Sequence, residues 1–252
     1  MTGTNEATDE ATRGLVVAID GPSGSGKSTI GRHLARHYGL AYLDTGAMYR
    51  ALAWWALERG LSLADPSPAV VSSVDAAVAE LALDLPLEEP LDPDDQAFRV
   101  AGTDVTSAIR TSGISTVVSR VATNLAVRAA LRDRQRAIIA RETTPDGWSS
   151  GRGIVAEGRD ITTVVAPDAT VRVLLVAGEE ARLARRAAEL FGAADDAAIE
   201  ATRDQVVRRD ADDATVSQFH VAADGVVTLD SSTLTLEETL DAAVAIVERG
   251  RP

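Results

Sequence analysis

The chain has 252 residues, 45% hydrophobic and 25% charged, with a formal net charge of −13 and no cysteine. That length can bury a sizeable core, while the missing cysteine excludes disulfides, zinc–thiolate sites and thiol catalysis. The acidic balance argues against broad nucleic-acid or anionic-membrane binding, so an anionic ligand has to be held by local arginines.

Residues 1–13 are small, polar and aperiodic and read as a disordered leader. With no charged-then-apolar signal and no apolar run near 18 residues, a cytoplasmic protein is expected. Leu15 to Ile19 is a short apolar run rich in β-branched residues, the pattern of an interior strand of a parallel sheet. Asp20 ends it, and Gly21-Pro22-Ser23-Gly24-Ser25-Gly26-Lys27-Ser28 fits the phosphate-binding pattern G-x-x-x-x-G-K-[ST]. Its glycines permit a tight turn whose N–H groups converge on one anion. Lys27 adds a mobile charge, and Ser28 offers a hydroxyl to Mg²⁺. A helix starting near Lys27 aims its positive end at the same place. A plain strand-to-helix turn is the alternative, but Lys27 is the only lysine in a chain with 25 Lys and Arg. Keeping it here marks a site that a forked guanidinium does not suit.

Ile30, Leu34, Ala35 and Tyr38 recur at helical spacing, with Gly39 as a stop. Leu40 to Leu43 is a second strand running into Asp44-Thr45-Gly46-Ala47-Met48-Tyr49-Arg50. Ligands of open α/β sheets sit beyond the carboxyl ends of strands, which places this segment beside the phosphate loop. Met48 to Leu57 reads as a helix, its Trp54-Trp55 pair suited to packing more than to a ligand platform. Val70 to Leu83 is helical, and the Pro- and acid-rich stretch from Leu85 to Asp95 reads as a solvated loop rather than a metal site. Ala97–Val100 and Thr103–Val105 around Ala101-Gly102 suggest a hairpin. Thr116 to Ala140 is a long Arg-studded helical region, of one helix or two, holding Ser119, Arg128, Gln135 and Arg136. A third strand, Gly153–Glu157, ends in Gly158-Arg159-Asp160. Val171–Val176 and Val226–Leu229 are further strands, and helices are expected over 179–190, 197–210 and 236–249.

This alternation predicts an α/β fold with a doubly wound, five-stranded parallel sheet. Residues 14–252 are expected to form one domain: a core from 14–61 and 151–252, and an inserted substrate-binding subdomain and helices over 62–150. A phosphate loop, the Asp44–Arg50 set and the Arg159-Asp160 pair at three strand ends form the inventory that phosphoryl transfer needs. Catalysis there consists of placing two phosphates in line and spreading positive charge over the transferring group. Arginine binds phosphate oxygens bidentately.

The stretches AIDGPSGSGKST, YLDTGAMYRALA, VRAALRDRQR, VAEGRDITTVVAPDA, ARRAAEL and VVRRDADD together resemble the bacterial cytidylate kinases over nearly the whole chain from Leu15. The first alone indicates only a P-loop nucleotide binder; DTGAMYR and EGRDI-TVV-PDA are far more specific. The resemblance implies transfer of the γ-phosphoryl group of ATP to CMP or dCMP, with Mg²⁺, in pyrimidine nucleotide metabolism, by a monomer without nucleic-acid or membrane partners. It implies that Gly21 to Thr29 hold the ATP phosphates, with Lys27 on the β/γ oxygens and Ser28 toward Mg²⁺. Asp44, Thr45, Arg50 and Arg110 would receive the monophosphate, Ser119 and Arg128 the cytosine, and Arg159 and Asp160 the CMP phosphate and ribose. Arg185 and Arg186 belong to a lid over ATP spanning about 185–213, with Arg209 and Asp213 on its far side and Asp213 at the ribose. The departure follows Asp213, where Ala214-Thr215-Val216-Ser217 lacks the family's arginine; Arg203 and Arg208 are candidates to replace it. Other readings are a kinase for UMP, shikimate or another small molecule, or a non-catalytic P-loop regulator.

Overall fold

The computed structural model describes residues 14–65, 67–192 and 195–251; the leader expected over 1–13 lies outside the described residues. β1 (Leu15–Asp20) runs through the glycine loop into α1 (Lys27–Tyr38), which stops where Gly39 takes φ +65°. β2 (Ala41–Asp44) passes directly into α2 (Thr45–Glu58), whose first turn is capped by the Asp44 carboxylate accepting from Ala47 N at 2.9 Å. Then come α3 (Pro68–Leu83), the short strands β3 (Leu87–Glu88), β4 (Arg99–Val100) and β5 (Thr103–Asp104), a 3₁₀ turn at Ala108–Arg110, α4 (Ser112–Thr123) and α5 (Leu125–Glu142). The chain returns through β6 (Gly153–Gly158), a π-type turn at Ile161–Val165 and β7 (Val171–Val176). It closes with α6 (Glu179–Phe191), α7 (Asp196–Ala214), β8 (Val227–Asp230) and α8 (Leu236–Gly250).

The main sheet has the order β2-β6-β1-β7-β8, every pairing parallel, as the alternation of strands and helices predicts. β1 and β6 are buried at nearly every position because helices cover both faces. One apolar layer joins β1 and β7 to Leu34 of α1 and to Ile246 and Val247 of α8. The other joins Ala18, Leu43 and Ile154 to α2 and continues into the insert. The register sets Asp20 opposite Gly158, and Asp44 opposite Glu157, so three strand ends stand side by side.

One element differs from the expectation, and a choice the sequence left open is decided. The stretch from Leu85 to Asp95 is not wholly loop: β3 adds a third antiparallel strand to the hairpin. Leu85 and Leu87 are buried, and the Arg134 guanidinium of α5 donates to both their carbonyls. The acids around them serve the local backbone: Asp92 accepts from Asp94 N, Asp95 accepts from Ala97 N, and Asp94 pairs with Arg36 at 2.6 Å. The long Arg-rich region is two helices, because Asn124 ends one and caps the next, accepting from Ala126 N and Val127 N. Trp54 and Trp55 are half-buried against the core, with Arg59 stacked 4.3 Å above the Trp55 ring.

Candidate active site

The glycine loop gets its shape from close approaches. Gly21 lies at φ +154°, and a Cβ there would stand 2.1 Å from Leu175 O; one at Gly24 would stand 2.5 Å from the carbonyl of Arg182. Helix α6 therefore lies directly on the loop. Lys27 turns back over it, its ammonium donating to Gly21 O (2.8 Å) and Pro22 O (3.0 Å). Burial lowers its pKa to about 8 despite the attraction of Glu157. The Ser25 carbonyl accepts from Arg185, while the Ser25 hydroxyl is buried without a partner.

Glu157 is the principal residue that the sequence reading did not single out. It is buried at the end of β6; one carboxylate oxygen accepts from Ser28 Oγ (2.6 Å) and Tyr42 OH (2.7 Å), and the other has no donor among the described residues. Burial, joined by repulsion from Asp44, raises its pKa to about 7 against the pull of Lys27. Its backbone carbonyl accepts from Thr45 Oγ1 at 2.7 Å. Asp20 is likewise buried at the end of β1, where it accepts from Ile161 N, Thr162 N and Thr162 Oγ1 and so holds the π-type turn beneath the Arg159-Asp160 pair.

Opposite the loop lies an open cleft of about 1030 Å³. It is lined by Lys27, Ser28 and Glu157, by Thr45, Arg50, Arg110, Arg128 and Asp160, and by Arg159, Arg186, Arg209 and Asp213. The buried Arg50 guanidinium donates to Ile109 O and Ser115 Oγ. Arg128 donates to Asp160 (2.5 Å), Ser217 Oγ (2.8 Å) and Ala122 O (3.0 Å). Ser119 is not among the lining residues; Val118 and Ala122 of the same helix face the cleft instead. Tyr49, one residue before Arg50, also lines it and was not anticipated.

Helices α6 and α7 meet the loop through Asp210 and through Arg182 and Arg185. Asp210 of α7 accepts from Ser23 N (3.1 Å), Arg159 (2.7 Å) and Arg182 (2.5 Å), and Arg182 also donates to Ser23 O. Asp213 accepts from Arg159 Nε at 2.8 Å, and the Arg159 guanidinium lies 4.4 Å above the Phe219 ring. Burial lowers the pKa of Arg209 to about 10, Arg159 adding to the effect. Neither proposed replacement for the family arginine lines the cleft: Arg203 is held outside by Glu179 (2.8 Å) and Glu200 (3.0 Å), and Arg208 is exposed. A second cavity of about 1420 Å³ shares Gly24, Lys27, Ser28 and Arg110 with the cleft and is bordered further by Ser25, Gly26, Arg185, Ser231 and Leu236.

The family model described as cytidylate kinase matches residues 17–249. Three curated relatives match over nearly all of their own length. A cytidylate kinase of Cutibacterium acnes is 45% identical over 94% of this chain and 97% of its own, and one of Streptomyces avermitilis is 39% identical over 94% of each. Another, from Nocardia farcinica, is 41% identical over 92% of this chain and 93% of its own.

Proposed function

The chain belongs to the cytidylate kinase family, and from its cleft we propose that it transfers the γ-phosphoryl group of ATP to CMP or dCMP, releasing ADP and CDP or dCDP. One observation supports the reading above all: a phosphate loop with Lys27 and Ser28 shares the lining of a single cleft with Arg50, Arg110, Arg128 and Asp160. Two phosphates can be set end to end there, which is most of what phosphoryl transfer asks of a protein.

The loop N–H groups and Lys27 hold the donor phosphates, and the second cavity, next to Arg185, takes the adenosine. Arg50 and Arg110 fix the acceptor phosphate, Arg128 with Asp160 reads the base, and Asp213 meets the ribose. Arg159, Arg186 and Arg209 spread positive charge over the transferring group. No strong general base is required, since an ionised monophosphate oxygen is already nucleophilic. The Ser28 hydroxyl beside the unpartnered Glu157 oxygen is the hard-oxygen donor set that suits Mg²⁺, which neutralises phosphate charge when bound. Among the described residues no helix is long and apolar enough to cross a membrane. We place the protein in the cytoplasm as a monomer serving pyrimidine nucleotide metabolism.

The test is a steady-state panel of CMP, dCMP, UMP, AMP and shikimate with MgATP. CMP and dCMP are expected to turn over best. No CDP from CMP, with turnover of another acceptor, overturns the assignment.

A further inference from the structure

Ser217 lies beyond the end of α7 and is mostly buried, yet it lines the cleft. Its place is fixed from both sides. Val216 N donates to Asp213 O (3.2 Å), continuing the helix end. Two residues further on, Phe219 is wholly buried under the Arg159 guanidinium. The hydroxyl is therefore carried by packed chain rather than by a swinging loop.

Its chemistry is one-sided. The Arg128 guanidinium has no acceptor capacity, so at 2.8 Å it occupies a lone pair of Ser217 Oγ. The same nitrogen binds Asp160 Oδ2. The Ser217 proton has no acceptor among the described residues, and Asp160 Oδ1 has no donor among them. A hydroxyl normally serves as donor or acceptor; accepting from a cation polarises this one, making it a stronger donor and leaving its second lone pair a weaker acceptor, so it favours donating. The wall thus offers the cleft a carboxylate acceptor next to a fixed donor. A 4-aminopyrimidine edge, with its exocyclic N–H beside an unprotonated ring nitrogen, is complementary to that pair. A 4-oxo edge, carbonyl beside N–H, presents the reverse polarity.

We propose that Ser217 is a specificity-determining residue of the acceptor pocket, a hydroxyl just beyond α7 that donates to the base and favours the 4-amino over the 4-oxo pyrimidine. This rests on the acceptor being a cytidine monophosphate.

The test compares kcat/KM for CMP and UMP, and the KM for ATP, in the wild-type protein, Ser217→Ala and Ser217→Thr. Equilibrium binding of CMP and UMP is measured alongside. Losing one donated hydrogen bond in Ser217→Ala is expected to lower CMP kcat/KM by about tenfold. UMP should change by less than about twofold and the KM for ATP should hold. Ser217→Thr keeps the hydroxyl and is expected to retain the CMP preference. Equal losses for CMP and UMP, or a threonine variant as unselective as the alanine one, would show that Ser217 only props Arg128 and would overturn the proposal; so would an alanine variant that loses nothing. Wild-type protein that turns over neither CMP nor dCMP overturns the acceptor assignment itself, and this inference with it.

Discussion

Lys27 must stay charged where the fold disfavours charge. Burial brings its pKa down to about 8, and without a bound anion its ammonium is satisfied by two loop carbonyls. Two outcomes follow from the sign of that shift. The value of kcat/KM reports the free enzyme, so it should fall as pH rises through about 8, while kcat, measured with phosphates stabilising the cation, holds to higher pH. A pH–rate profile with both limbs at the same pH would contradict this. A lysine whose folded-state pKa is depressed also carries a penalty at pH 7 that the unfolded chain escapes, and that penalty fades only as pH rises through about 8 toward 10.5. Lys27→Ala should therefore lower kcat at least 100-fold while leaving the melting temperature unchanged or raised, read by steady-state assay and thermal denaturation. Arg128→Ala should raise the CMP dissociation constant far more than that of ATP, because its hydrogen-bond partners Asp160, Ser217 and Ala122 all line the cleft and none borders the second cavity; calorimetric titration of each nucleotide decides it. The Lys27 site was legible in the sequence because a glycine loop with one lysine has few other uses. Glu157, Tyr42 and Ser217 were not legible. An acid at a strand end or a serine after a helix looks like any other until β6 is set beside β1 and Arg128 is brought 89 positions along the chain to Ser217.

At the level of elements, α6 and α7 are held against the glycine loop by Asp210, whose two oxygens receive Ser23 N, Arg159 and Arg182. A buried carboxylate shared by two guanidiniums and a backbone N–H is stabilised by charge-assisted bonds, and removing it leaves Arg182 without its counter-charge and Arg159 with Asp213 alone. Asp210→Ala is thus expected to raise hydrogen exchange across 179–214 while the exchange of β1 and β6 stays slow, and to cut kcat more than tenfold by loosening Arg159. The opened lid should also admit water, so ATP hydrolysis without acceptor should rise relative to transfer. Unchanged exchange in both helices would show that the clasp does not hold the lid. The elements themselves were largely readable: β-branched runs between helical periods gave the parallel strands, and Gly39 marked the stop of α1. The reading failed at β3, where two buried leucines sit among prolines and acids and are recruited by Arg134 from α5, some 47 residues away. No local pattern carries that information.

For the whole molecule, the informative feature is an apolar layer that does not stop at the edge of the insert. It runs from Ala18, Leu43 and Ala156 of the sheet through Met48 and Leu52 of α2 to Val74 and Val78 of α3, Phe98 of the small sheet and Leu131 and Ile138 of α5. An insert that shares its core with the sheet cannot unfold without exposing the sheet's own face, so core and insert should melt in a single transition, the thermodynamic meaning of one domain over 14–252. The cleft draws residues from the ends of β1, β2 and β6 and from α4, α5 and α7, so a ligand that binds it binds only the folded chain. At about 100 times its dissociation constant such a ligand adds about 2.7 kcal/mol. For a chain of this size that corresponds to a rise in Tm of roughly 5–10 °C. CMP and ADP should each shift the single transition upward, and Arg128→Ala should abolish the shift from CMP while preserving that from ADP. Calorimetry decides the matter: a second transition belonging to 62–150, moved by CMP alone, would mean that the continuous apolar layer does not couple the insert to the sheet.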